Sequence, residues 1–282
     1  MNAVRESLES NPIEILTSPS EDCPFRRCDG TGFIWIKDWS KRHKKNVVDE
    51  WKEECECYDQ LIKQREIDKK LDLSGIPPIF KDATVRSFRT DIYQQTDSRE
   101  RAVVARKAAI NYVTNFEVMQ ENGKGLYLYS DVKGSGKTRL AVSIANALVS
   151  QHGVDVAFIK SMDLISQVRK TFKNDSELTE SEVVESYRKV GLLVIDDLAI
   201  KGASEFEERI FYDITDYRLE HNKPTLFTSN VSIDSLEDFY PGGRVGKRIK
   251  KMSLEIYMPE ESIRDQEADS ENDDFEKILF GN

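Results

Sequence analysis

Apolar residues in the middle of this chain follow two alternating rhythms. Four short apolar stretches, Leu126–Tyr129, Val154–Lys160, Leu192–Ile195 and Thr225–Thr228, predict strands. Around them, apolar residues fall at helical spacing. Val103, Val104, Ala108, Ile110, Val113 and Phe116 mark 98–118 as a helix, and Arg139–Val149 repeats the pattern after the loop Glu121–Lys124. Strands alternating with helices predict an α/β fold, with a parallel sheet covered on both faces. The run Gly191–Asp197 is apolar until it ends in two acids, as suits a strand buried on both faces whose carboxyl end meets a ligand.

The pattern changes before residue 78. Phe33–Ile36 predicts one isolated strand, Gln60–Leu73 is charged and helix-compatible, and Ser74-Gly75-Ile76-Pro77-Pro78 breaks the helix. The expected organisation is an N-terminal domain at 1–73, loosely ordered over 1–20, then a linker at 74–78 and a second, α/β domain at 79–264. A solvated acidic tail is expected at 265–282, since Asp265–Glu276 holds seven acids. No internal repeat is seen. With 282 residues there is room for one or two domains. A net charge of −10 argues against indiscriminate coating of DNA but leaves room for a local basic patch. No apolar run reaches 18 residues and the start is polar, so neither a membrane span nor a secretory signal is expected and the address is cytoplasmic.

Residues 131–138, Asp-Val-Lys-Gly-Ser-Gly-Lys-Thr, join a predicted strand to a predicted helix. In that setting Gly134, Ser135 and Gly136 let backbone N–H groups close on a phosphate chain, helped by the helix N-terminus. Lys137 would reach the β- and γ-phosphates and Thr138 would ligate Mg²⁺. The pattern departs from a full phosphate loop at its first glycine, which is Asp131. Asp196 would orient Mg²⁺, and Asp197 would polarise the attacking water. The cofactors expected are therefore ATP and Mg²⁺.

All four cysteines, Cys23, Cys28, Cys55 and Cys57, lie near the start. Two readings are open, unliganded core thiols or a structural Zn²⁺ site. The polar flanks Arg26, Arg27, Glu54 and Glu56 favour zinc. The close C-x-C pair would serve one metal if it lay on an extended strand. The basic cluster Lys41, Arg42, His43, Lys44 and Lys45 either contacts phosphates or is a solvated run. Candidate DNA contacts are Met162–Lys173, with Arg169, Lys170, Phe172 and Lys173, and the basic run Arg244–Lys251. The first of these reads equally as an amphipathic helix with Phe172 in the core.

Taken together, these motifs resemble the bacterial replicative helicase loaders of the DnaC/DnaI type, within the AAA+ ATPases. The resemblance covers most of the chain. It includes the cysteine cluster followed by Asp29-Gly30-Thr31-Gly32, the 74–78 segment, the phosphate loop, Leu192–Leu198 and Lys223–Asn230. It implies an AAA+ P-loop domain preceded by a small zinc-binding domain that interacts with the helicase. It implies an ATPase that binds a hexameric replicative DNA helicase and single-stranded DNA, and that self-associates on binding ATP or helicase. It also assigns Asn230 as the sensor-1 residue and Arg264 as sensor 2. Arg244 and Arg248 match an arginine box, in which Arg248 would be a finger reaching a neighbour's γ-phosphate and Lys247 replaces a usual serine. Two other functions compete: a DnaC-like transposition helper ATPase, and a zinc-binding adaptor whose ATP site has decayed.

Overall fold

A computed structural model describes residues 12–44, 46–173 and 178–281, so Lys45 and the first eleven residues of the expected loose start lie outside the described residues. The described chain divides into two compact units, with the division between Lys69 and Lys70.

The first unit is built on a three-stranded antiparallel sheet of β1 (Ile13–Ile15), β2 (Phe33–Asp38) and β3 (Glu50–Glu54), with β2 in the centre. β1 corrects part of the expected loose start, because 13–15 pairs in register with 36–38. On β2 the alternation is regular: Ile34 and Ile36 are buried with the four cysteines, while Trp35 faces solvent. Helix α1 (Tyr58–Leu73) follows and contains the division between the units.

In the second unit five parallel strands form one sheet. They are β4 (Gly125–Tyr129), β5 (Val156–Lys160), β6 (Leu192–Leu198), β7 (Thr225–Ser229) and β8 (Ser253–Tyr257), in the order β5-β6-β7-β4-β8. The four expected strands are present within a few residues of their predicted ends, and β8 is an addition. Leu192, Leu193, Val194 and Ile195 are all fully buried, as a central parallel strand requires. Leu193 and Ile195 join Tyr127 and Phe227 in one apolar cluster with the helices at 161–170, 180–189 and 205–220. The alternate residues face the other side, where α4 (Lys137–His152) packs on β4, β6 and β7.

The helix expected over 98–118 is two, α2 (Thr96–Thr114) and α3 (Phe116–Glu121), broken at Asn115. Of its expected apolar stripe, Val103, Val104 and Ile110 are exposed, and the smaller Ala102, Ala105 and Ala109 form the buried face. The segment expected as a linker runs along the free edge of β5, where the Ser74 carbonyl accepts the Phe158 N–H at 2.7 Å. The remaining helices are α5 (Ser161–Lys170), α6 (Glu180–Lys189), α7 (Glu205–Glu220), α8 (Leu236–Phe239), α9 (Arg244–Met252) and α10 (Ile263–Phe280). Thr179 and Ser204 start α6 and α7 with reciprocal capping boxes, each contributing about 1 kcal/mol. The acidic stretch expected as a solvated tail forms most of α10. Among the described residues no helix is long and apolar enough to cross a membrane.

Candidate nucleotide site and thiol cluster

The glycine loop at 131–136 lies between a strand and a helix, the layout expected of it. β4 delivers the chain to residues 131–136, and α4 starts at Lys137. Gly134 and Gly136 have φ of +78° and +91°, which side chains rarely adopt. A Cβ at Gly134 would stand 2.6 Å from Ser262 Oγ, and one at Gly136 would stand 3.0 Å from the ring of Phe88 and from the hydroxyl of Tyr93. The loop is thus pressed between two flanking segments, and Tyr93 OH donates to the Ser135 carbonyl at 3.0 Å. On the other side the Ile263 N–H donates to the Gly134 carbonyl at 3.0 Å, which sets Arg264 beside the loop.

Lys137 is buried, and its Nζ donates to the carbonyls of Val132 (2.8 Å) and Ser130 (3.2 Å) and to Ser135 Oγ (3.3 Å). Burial lowers its pKa to about 8, against the pull of Asp197 and Asp196. Thr138 Oγ1 donates to Asp196 Oδ1 at 2.8 Å, and Thr228 Oγ1 donates to the same oxygen at 2.6 Å. Burial raises the pKa of Asp196, and these hydroxyls partly offset the rise. Asp131, the non-glycine, accepts from Tyr129 OH at 2.8 Å, which ties its carboxylate to the strand. Asn230 follows the end of β7, and its buried Oδ1 has no protein partner. A glycine cradle, a lysine, a hydroxyl–carboxylate pair and an orphaned amide oxygen together fit a Mg²⁺–nucleotide.

Arg248 is not among these groups. Its Nε donates to Asp216, Nη2 to Tyr212 OH (2.8 Å) and Nη1 to the Arg244 carbonyl (3.2 Å), all from α7 or its own helix. In the other candidate region, α5 buries Leu164, Ile165 and Val168, whereas Phe172 lies beyond the helix and is 58% exposed. Phe172 is therefore not a core residue. Its ring meets Phe206 edge-on at 5.6 Å, and Arg169 lies over Phe206.

The four sulfurs lie within 4.8 Å of one another, all buried. Three of the pairs are at 3.5–3.8 Å, close to the ~3.8 Å that tetrahedral Zn–S bonds of about 2.3 Å imply. The Arg27 N–H donates to Cys23 Sγ, and backbone donors of this kind lower that thiol's pKa to about 6. Burial among the other thiols pushes Cys57 up. The donor set fits Zn²⁺. One detail of the sequence reading is corrected: Cys55 and Cys57 sit in the turn between β3 and α1, not on a strand. The turn brings both sulfurs to one side through the Tyr58 N–H to Cys55 carbonyl bond.

Sequence reasoning missed Thr228, Ser161, Phe88, Tyr93 and Glu261. Glu261 accepts the N–H groups of Gln94 and Gln95 at 2.8 and 2.7 Å. Only Thr228 had a signal, its place two residues before Asn230.

The family model described as IstB-like ATP binding protein matches residues 56–246, more than half of the chain. The chain belongs to this family. Among similar proteins, this IstB-like chain is 27% identical to the replicative helicase loader DnaC of Escherichia coli K12 over 177 residues, 63% of the chain. The match spans 66% of that relative's length. DnaC of Buchnera aphidicola subsp. Acyrthosiphon pisum is 29% identical over 188 residues, 67% of the chain and 71% of the relative. A crystal structure of the DnaC helicase loader aligns with a TM-score of 0.55 and 23% identity, covering 64% of the chain and 99% of that structure. One of DnaI gives 0.50 and 27%, covering 64% and 94%. The parallel α/β fold and the DnaC/DnaI likeness expected from the motifs are both found.

Proposed function

We propose that this chain is an ATP-hydrolysing loader that binds a hexameric replicative DNA helicase in the cytoplasm and helps place it on single-stranded DNA. The observation that carries the reading is the cradle itself: Lys137 Nζ on the loop's own oxygens, Thr138 on Asp196 Oδ1, and Asp196, Asp197 and Arg264 all close enough to Lys137 to act on its charge. A decayed adaptor would not keep these groups together. The likeness to proteins named replicative helicase loaders supports the partner and favours loading over transposition.

In this reading Lys137 and Arg264 meet phosphate charge from two sides of the loop. Thr138 and Asp196 are the pair that would hold Mg²⁺, which when bound spreads charge off the phosphates. Asp197 orients and polarises the attacking water, helped by Asn230. Arg248 serves a neighbouring copy in an assembly formed on ATP or helicase. The thiol cluster, holding Zn²⁺, keeps the N-terminal unit folded for the helicase. Exposed Phe172, with Arg169, Lys170 and Lys173 close in sequence, suits stacking and backbone contact with a single strand.

The test is ATP turnover and helicase transfer onto single-stranded DNA by the full chain, with candidate hexameric helicases. Lys137→Ala should weaken nucleotide binding, whereas Asp197→Ala should bind and fail to turn over. Parent-level turnover by Asp197→Ala would sink the assignment of that residue. No turnover by the parent with helicase and DNA present would favour the adaptor.

A further inference from the structure

The end of β6 does not run straight. Ile195 pairs with Phe227 and Leu198 with Ser229, so Asp196 and Asp197 together oppose the single residue Thr228. This is a β-bulge, a device that re-aims a side chain beside a site. In a regular strand, consecutive residues project to opposite faces, and the two acids could not both serve one cradle. Inside the bulge Asp197 has a φ of +54°, in the left-handed region that a non-glycine residue holds only when something fixes it.

Two buried hydroxyls fix it. Thr228 Oγ1 accepts the Asp197 N–H at 2.9 Å and donates its own proton to Asp196 Oδ1 at 2.6 Å. Ser161 Oγ, at the first residue of α5, donates to the Asp197 carbonyl at 2.6 Å. The Asp197 residue is therefore gripped at its N–H from one neighbouring strand and at its carbonyl from the helix that follows the other. Thr228 uses one donor and one acceptor, and so holds both acids with one atom. Both side chains are buried, and both acids act electrostatically on Lys137.

We infer that Thr228 and Ser161 are positioning residues, which hold Asp197 in its left-handed conformation so that its carboxylate faces the reacting phosphate. This rests on the reading of Asp197 as the group that polarises water. Neither hydroxyl needs to touch nucleotide.

The experiment uses the full chain with Thr228→Val, which keeps the shape and loses the hydroxyl, together with Thr228→Ser and Ser161→Ala. Turnover at saturating ATP, nucleotide Kd, thermal midpoint and a crystal structure are read for each. Thr228→Val and Ser161→Ala should each lose ~10- to 100-fold in turnover, the scale of a misplaced reacting group. Their nucleotide Kd should stay within about threefold, and Thr228→Ser should return to within about threefold of the parent. In the Thr228→Val structure, Asp197 should leave the left-handed region. Parent-level turnover in both hydroxyl-less variants, or Asp197 still left-handed in both, would overturn the inference. So would turnover lost only in proportion to thermal stability. If Thr228→Val does not fold, Ser161→Ala carries the same test. If the parent hydrolyses no ATP, the proposed function fails, and the Asp197 backbone still decides the clamp.

Discussion

The buried Lys137 makes nucleotide affinity depend on pH in a way that can be worked out in advance. Burial lowers its pKa from 10.5 to about 8 in the nucleotide-free chain. Contact with a polyanionic phosphate restores the charged form, so binding draws a proton wherever the free lysine has lost one. With a free pKa near 8, about nine-tenths of Lys137 is charged at pH 7 and about one-tenth at pH 9. Nucleotide Kd should therefore rise about tenfold from pH 7 to pH 9. For folding the sign is opposite. The folded pKa lies below the unfolded one, so the buried charge destabilises the nucleotide-free chain below about pH 8, and that penalty is relieved as pH rises from about 8 to 10.5. Lys137→Met should accordingly stabilise the nucleotide-free chain at pH 7, with the gain shrinking toward pH 10, and its weak nucleotide binding should be flat with pH. Calorimetric titration across pH 7–9 on both proteins measures this. A flat profile in the parent would show that the lysine is charged throughout and that burial does not control it.

Two further outcomes are expected. The purified chain should carry one zinc ion per molecule through Cys23, Cys28, Cys55 and Cys57, and chelation should unfold the N-terminal unit and leave the α/β unit folded; elemental analysis without stoichiometric metal would refute this. Arg248→Ala should bind ATP normally as a monomer yet fail to hydrolyse it when assembled, and mixing it with Lys137→Ala should restore activity, since a finger is worth roughly 10³–10⁵ in rate; parent-level turnover by Arg248→Ala alone would exclude a finger.

The fold was legible where one physical requirement dominates. β6 must be apolar on both faces, so Leu192–Ile195 reads as a strand without ambiguity. β8 escaped because it is an edge strand with Leu254 and Tyr257 exposed, and Ser-Leu-Glu-Ile-Tyr carries no long apolar run. α10 was not foreseen as a helix because its acids mark solvation and leave no apolar stripe, although glutamate is a good helix former. Arg218 is the sharpest case. It reads as a surface charge on α7, yet it is fully buried, donating to the carbonyls of Tyr187, Arg188, Val190 and Pro224 and to Thr225 Oγ1. Burial lowers its pKa to about 9. Carbonyls that meet only in three dimensions leave no pattern along the chain.

The same reasoning explains why the reactive groups were legible and their supports were not. Lys137, Thr138, Asp196 and Asp197 are constrained by the chemistry of phosphate, which admits few residue types at fixed spacing. Ser161 and Thr228 are constrained by the backbone of one residue, and many hydroxyl-bearing residues elsewhere in the chain have the same local surroundings. What distinguishes these two is register. A shift of one residue in the pairing of β6 with β7 would leave the Asp197 N–H without Thr228 and would turn that acid to the opposite face. The aim of the second aspartate is thus set by the sheet as a whole, through a bulge whose partners lie 31 and 36 residues away in sequence.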